Sequence, residues 1–212
     1  LQALQAQINP HFLYNTLASI RFQMEMGMED KAGQSLMALV KLLRRTFSDY
    51  RKLIPIREEL QALETYLVLM ENRYQDTFEW KIDVDEEIME CLIPRISIQP
   101  LVENSILHGL SQRTPRIHLH IAAAYGEDTV IITIEDNGVG ISEKQLAELR
   151  HTLDSKAVNY EKHFGIGNVN KRISSPHFGN GHISIESRLY HGTVITIEFD
   201  QMEEDYEESN DC

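Results

Sequence analysis

The sequence predicts an α+β protein, in which an N-terminal helical hairpin that dimerises into a four-helix bundle precedes an α/β sandwich. Three observations carry this. From Leu1 to about Asp76 the apolar residues recur three and four apart; after Asp76 the period switches to two; and the strands that follow have helical stretches between them. The expected division is residues 1–76 for the helices, 77–202 for the sandwich and 203–212 for an acidic tail expected to be disordered.

Leu13, Leu17, Ile20 and Met24 form one apolar helix face, broken by Gly27, Asp30 and Gly33. A second helix follows through Leu36, Leu39, Val40, Leu43, Phe47 and Tyr50, and the short break makes the two antiparallel neighbours. After Pro55, the residues Leu60, Leu63, Leu67, Met70 and Tyr74 take the seam spacing of a coiled coil or bundle. Helices this few have too little core of their own, so their apolar stripe must meet another protomer or the following domain. A homodimer is expected.

Phe78, Trp80, Ile82 and Val84 alternate with polar residues as a half-buried strand. The stretch IPRISIQPLVENSILHGL is a helix entered past Pro94, delayed or distorted by Pro100 and stopped at Gly109. Ile117, Leu119 and Ile121 mark one strand and Val130, Ile132 and Ile134 the next, with their turn near Gly126 and Glu127. His118 and His120 share the solvent side of the first. A helix from about Ser142, a loop to Gly165 and a helix to about Ser174 lead to two closing strands, HISIES and TVITIEF, joined through His191 and Gly192. The sheet is expected to be mixed and covered on one face.

The net charge of the 212 residues is −13, with 20 Lys and Arg against 33 Asp and Glu, and six of the excess acids lie in the last ten residues. So acidic a chain has no basic face for phosphodiester backbones, which argues against nucleic acid as a partner. With 42% hydrophobic residues it buries a real core, and no apolar run approaches the ~18 residues of a membrane span. Cys91 and Cys212 form neither a metal spacing nor a disulfide framework. The chain starts at Leu1 and is expected to be a fragment, with membrane contact only through segments N-terminal to it.

Four motifs can carry chemistry. In EDNGVGIS a β-branched strand delivers Asp136, Asn137, Gly138 and Gly140 to a turn; the glycines leave room beside a flat ligand, and Asp136 can accept from an amino group such as that of adenine. The same residues also make a plain Asn-Gly turn. In QPLVENSILHG, Asn104 and His108 lie four apart on one helix face with Glu103 adjacent, and an Asn carbonyl can hold Mg²⁺ beside phosphates without adding charge. Capping for Asn104 and core packing for His108 are the alternatives. In HFGIGNVNKRI, Gly165 and Gly167 precede a helix whose first amides can face an anion, or simply form a loop-to-helix junction. In QINPHFLYNTL, Pro10 kinks a helix and displays His11 there, although a lone helical histidine more often packs or faces solvent.

These motifs, in this order from about Gln5 to Phe199, resemble the LytS/YesM-like sensor histidine kinases of bacterial two-component systems. QINPHFLYNTL is similar to their phosphoacceptor segment, QPLVENSILHG to the N box, DNGVG and GIGNVNKRI to the two glycine boxes, and HGTVITIEF to the closing strand. The resemblance implies a dimerisation and phosphotransfer hairpin followed by an ATP-binding sandwich of the histidine kinase, gyrase and heat-shock chaperone type. It implies His11 as phosphoacceptor, Asn104 as Mg²⁺ ligand, Asp136 as adenine acceptor, Gly138, Gly140, Gly165 and Gly167 as the nucleotide cradle with His108 beside it, and Thr193 as an adenine-pocket residue. His163 stands where family members often have glycine and can contact phosphate or stiffen the lid. The residue after His11 is Phe12 rather than an acid, so Glu103 is the candidate base, and Asn15 can orient a water.

The implied reaction is Mg²⁺·ATP-dependent phosphorylation of His11, then transfer to an aspartate on a response-regulator receiver domain. Lys41, Arg44, Arg45, Arg51 and Lys52 can steer that acidic partner, or form a solvated face. The implied setting is the cytoplasmic part of a bacterial membrane protein. A nucleotide-binding regulatory module without phosphotransfer and a gyrase-type ATPase are the rival functions.

Overall fold

The computed structural model describes residues 10–48, 52–74, 77–109, 116–154, 164–175, 178 and 180–201. The expected kink before Pro10, the domain boundary at 76, His163 and the acidic tail lie outside these residues.

Helix α1 (Pro10–Glu25) turns Phe12, Thr16, Ile20 and Gln23 inward. This shifts the expected stripe, since Leu17 and Met24 are exposed while Ile20 is buried. Phe12 sets the phase, because its ring rests on that of Tyr66 with centroids 5.4 Å apart. Gly27, at φ 74°, ends the helix: Met28 N–H donates to the Gln23 carbonyl (2.8 Å) and Gly27 N–H to that of Met24 (3.0 Å), the Schellman pattern. Helix α2 (Glu29–Ser48) begins at once, with Glu29 and Asp30 at its positive end. Asp30 and Gly33, expected in the break, lie inside α2. Glycine costs a helix interior about 1 kcal/mol, and burial of Ala32, Ser35, Leu39 and Leu42 outweighs that. Leu36 and Val40 are exposed on the single chain.

Strand β1 (Leu53–Pro55) and helix α3 (Ile56–Tyr74) follow. The helix is more than a bundle seam. It packs on α2 and also on β1, on strand β2 (Phe78–Val84) and on strand β3 (Leu92–Pro94), burying Ile56, Leu60, Leu63, Tyr66, Leu67 and Met70. Strands β1 and β3, each reading Leu-Ile-Pro, pair antiparallel as a small second sheet absent from the sequence expectation. From the first turns of α3, the buried Glu59 accepts N–H groups from Ile96 (3.1 Å), Ser97 (2.8 Å) and Ile98 (3.1 Å). Ile96 is left-handed at φ 60°, a conformation that costs a β-branched residue roughly 1–2 kcal/mol and that these charge-assisted bonds offset.

The main sheet has the order β2-β4-β5-β7-β6, from β4 (Ile117–Tyr125), β5 (Thr129–Asp136), β6 (His182–Ser187) and β7 (Thr193–Asp200). Only β2 and β4 are parallel, and the crossover they require holds β3 and α4 (Gln99–Gly109). Pro100 is the second residue of α4, where its missing N–H has no intrahelical role, so the helix starts at Gln99. Alternation sends Ile117, Leu119, Ile121, Val130, Ile132, Ile134, Ile195, Ile197 and Phe199 into the core. Helices α4, α5 (Glu143–Asp154) and α6 (Phe164–Ile173) pack on the sheet. Arg150 of α5 donates from Nε (3.0 Å) and Nη2 (2.6 Å) to the Ile185 carbonyl, and Asn170 of α6 bridges Leu153 and Ile183. His118 and His120 face solvent, as expected, against Glu79 (3.0 Å) and Asp83 (2.8 Å).

The β6–β7 turn depends on Gly192, at φ 86°, where a Cβ would stand 1.9 Å from the Asp136 carbonyl oxygen. Gly192→Ala is expected to cost roughly 2–4 kcal/mol through strain and displacement of β5. Gly33→Ala meets open space in α2 and is expected to gain about 0.5–1 kcal/mol. Urea unfolding midpoints measure both, and a parental midpoint for Gly192→Ala would mean that the turn relaxes freely.

Candidate functional site

Strand β5 ends in Asp136 because the alternation that buries Val130, Ile132 and Ile134 buries the next residue in phase, a carboxylate 5% exposed. The chain then turns. Asn137 ties the turn to the start of β4, accepting from His118 N–H (2.8 Å) and donating to the Arg116 carbonyl (3.3 Å). Gly138 passes directly against Gly109 at the end of α4, where a Cβ on Gly138 would meet Gly109 Cα at 2.5 Å, and Val139 N–H donates to the Gly109 carbonyl (3.0 Å). Gly140, at φ 66°, leaves room for the Arg188 carbonyl, which a Cβ would meet at 2.1 Å. Ser187 Oγ locks the far side by donating to the Gly192 carbonyl (2.8 Å) and accepting from Ile141 N–H (2.9 Å).

These contacts enclose a cleft of about 910 Å³ between α4, α5, α6 and the ends of β5 and β7. Asn104 and His108 line it from α4, Asp136 and Gly140 from the turn, Gly165 from α6, and Thr193 from β7. Gly165 and Gly167 lie within the first turns of α6 rather than ahead of it, because burial of Ile166, Val169 and Ile173 sets the helix phase. Gly165 faces the Asn104 amide, whose nitrogen would be 3.4 Å from an added Cβ. Gly138 and Gly167 are buried supports behind the lining.

Burial raises the pKa of the Asp136 carboxyl above the ordinary value, while hydrogen bonds from Ser105, Gly138 N–H (2.9 Å) and Thr193 oppose the shift and Glu135 adds to it. Such a carboxylate favours a ligand that brings donors. Ser105 was not singled out by the sequence reading; a buried hydroxyl in phase with the core-facing side of α4 is the signal that could have found it. Gln145 and Glu148 of α5 also line the cleft, and they read in the sequence as ordinary polar helix positions.

Other expected residues are not brought together here. Glu103 is outside the lining, bonded to Gln99 (2.9 Å) and charge-coupled to Tyr66 of α3, with its own pKa raised by burial and lowered in part by the Gln99 bond. Asn15 is half-buried on α1, which packs on α2 and α3. The backbone of His11 is in the first turn of α1, next to the anchored Phe12.

Residues 1–78 match the family model described as histidine kinase, and residues 94–203 match that of the histidine kinase-, DNA gyrase B- and HSP90-like ATPases. The chain belongs to the LytS/YesM-like histidine kinase family. It is 34% identical over 200 residues to the sensor histidine kinase YesM of Bacillus subtilis, a match covering 93% of this chain and 32% of that protein. It is 36% identical over 180 residues to the sensor protein LytS of Oceanobacillus iheyensis, covering 82% and 30% respectively. The chain thus spans about a third of the length of these curated relatives. Among solved structures, the histidine kinase domain of the blue-light activated histidine kinase of Erythrobacter litoralis has the same fold, with a TM-score of 0.51 at 16% identity over 93% of this chain and 91% of that one.

ATP is the ligand such a domain implies, and the residues present fit it. Asp136 offers a buried hydrogen-bond acceptor in the cleft, of the kind an amino group requires, and the neutral Asn104 amide lies beside side-chain-free Gly165, where bulky anionic groups meet neither a side chain nor a like charge. The raised Asp136 pKa has a sign consequence. The folded state prefers the protonated acid, so stability is lost as pH rises from the ordinary carboxylate range through the folded-state pKa. Asp136→Asn is therefore expected to melt higher than the parent at pH 7, with the gap closing toward pH 3, while ATP affinity falls at least tenfold. Calorimetry and melting curves check the two halves, and a variant that melts lower than the parent at pH 7 would contradict the burial argument.

Proposed function

We propose that this chain is the catalytic and phosphotransfer core of a sensor histidine kinase. ATP lies in the cleft with its adenine on Asp136 and Thr193, and an imidazole nitrogen of His11 attacks the γ-phosphorus. The bond from that phosphorus to the β–γ bridging oxygen breaks, ADP leaves, and the displaced imidazole proton passes to solvent or a nearby base. The phosphoryl group then moves to an aspartate on a response-regulator receiver domain. Asn104 would hold Mg²⁺, which supplies charge neutralisation along the phosphates. The observation that carries this reading is the convergence of Asp136, Asn104, Gly165 and Thr193 on one cleft.

The reading includes a homodimer. Leu17, Phe22 and Met24 on α1 and Leu36, Met37 and Val40 on α2 are 45–69% exposed on one chain, an apolar surface that a second hairpin would cover. Exposed Lys41 and Arg44 on α2 supply positive charge for an acidic receiver pocket. Among the described residues no helix is long and apolar enough to cross a membrane. The place proposed for this core is the cytoplasmic face of a bacterial membrane, where ATP and receiver domains are found.

Incubation with γ-labelled ATP is expected to give acid-labile, base-stable label on the parent. His11→Gln is expected to bind ATP within twofold of the parent yet take up less than a hundredth of the label, and Asn104→Asp to label at least tenfold more slowly. Mixing the two variants, after subunit exchange, tells transfer between protomers from transfer within one by whether the Asn104→Asp chain acquires label. A His11→Gln chain that labels at the parental rate rejects the phosphoacceptor assignment, and ATP binding without any label favours a non-transferring regulatory module.

A further inference from the structure

Glu59 is an acid that a helix surface would normally give to water, yet it is 3% exposed. Its two carboxylate oxygens take three successive amides, those of Ile96, Ser97 and Ile98, in the segment that turns through a left-handed isoleucine directly into α4. Ser97 Oγ closes the same segment by donating to the Pro94 carbonyl at the end of β3 (2.5 Å). Arg172, near the end of α6, donates to the Arg95 carbonyl and feels the Glu59 charge, which opposes the effect of burial on its guanidinium. One carboxylate on α3 thus fixes the entrance of α4 and reaches α6 through Arg172. An apolar residue there would fill the space and strand three amides, two of them buried.

The consequence follows from what those helices hold. Asn104 is on α4, and Gly165 on α6 lies against its amide, so the phosphate end of the cleft hangs on the two helices tied to Glu59. Asp136 and Thr193, at the adenine end in that reading, have their backbones paired within the sheet itself, with Ser105 of α4 adding a bond to the Asp136 carboxylate. We propose that Glu59 is a positioning residue that keeps the phosphate end of the nucleotide cleft in register with the phosphotransfer helices, acting through the 96–98 amides and Arg172. This rests on the assignment of Asn104 to the phosphate-bound metal.

A structural prop would weaken the whole domain together; a positioning residue would separate its two ends. The test uses the full chain carrying Glu59→Gln, which keeps the shape but sets an NH2 against amide donors. Displacement of a fluorescent ATP analogue by ADP is measured in EDTA and in Mg²⁺, with autophosphorylation and amide hydrogen exchange alongside. The expected result is an EDTA affinity within twofold of the parent, a gain on adding Mg²⁺ reduced at least fivefold, and kcat reduced at least tenfold. Exchange at residues 96–104 should rise at least tenfold, with β5 and β7 unchanged. Glu59→Asp, which keeps the charge on a shorter arm, should recover part of each loss. A parental Mg²⁺ gain and exchange pattern overturns the proposal, as does a parallel loss of EDTA and Mg²⁺ affinity with faster exchange throughout the sheet. If Glu59→Gln does not fold, Arg172→Lys should show the same selective pattern at smaller size, and parental behaviour there also overturns it. A parent that gains nothing from Mg²⁺ rejects the Asn104 assignment instead, and hydrogen exchange still decides whether Glu59 holds α4.

Discussion

The cleft exists because two backbones touch without side chains between them. The end of α4 and the turn after β5 meet at Gly109 and Gly138, and the amide of Val139 bonds the Gly109 carbonyl at 3.0 Å. This contact brings the Asn104 and His108 face of α4 over the buried end of β5. A methyl group at Gly138 would push the helix from the strand and separate the neutral amide from the carboxylate. Gly140 and Gly192 repeat the device on the other side, where carbonyls of Arg188 and Asp136 fill the space a Cβ would need. The glycines are therefore constraints on distance before they are sources of flexibility.

The site also shows what a binding function costs a fold. Asp136 takes a place that alternation reserves for an apolar side chain, and Ser105 with the Gly138 and Thr193 amides compensates only part of its desolvation. A protein selected for stability alone would put an isoleucine there. The acidic character of the chain compounds the cost, because the remaining field also opposes a polyphosphate ligand. What offsets that field locally is the neutrality of the groups where α4 meets α6 in the cleft: an asparagine amide and glycine backbone.

Much of this was legible in the sequence, and the parts that were not share a physical cause. Strands β4, β5 and β7 are long enough for period two to declare itself, and the Asp136 and Asn104 motifs carry chemistry in their own residue types. The paired Leu-Ile-Pro strands β1 and β3 have three residues each, too few for any period, and gain meaning only when they meet. Glu59 looked like any polar position of an amphipathic helix, since its partners are amides almost forty residues away. Leu17 and Met24 share the apolar spacing of a buried face yet are exposed, because the helix phase is set by Phe12 on Tyr66. Tertiary partners, rather than local preference, decided each of these.

Strand β7 lies between β5 and β6 in the sheet, yet among the described residues it is the last strand in chain order. It pairs Asp136 with Thr193, and Gly192 at its threshold supports the Asp136 backbone. The carboxylate's setting is thus completed by residues more than fifty positions downstream, after a long loop has closed. During synthesis, a ribosome-bound chain that has released α4, β5 and even α6 still lacks one wall of the cleft beside Asp136. The cleft is therefore enclosed only when the sheet is finished, so a prematurely shortened product lacks the walled site altogether instead of carrying it without the rest of the fold.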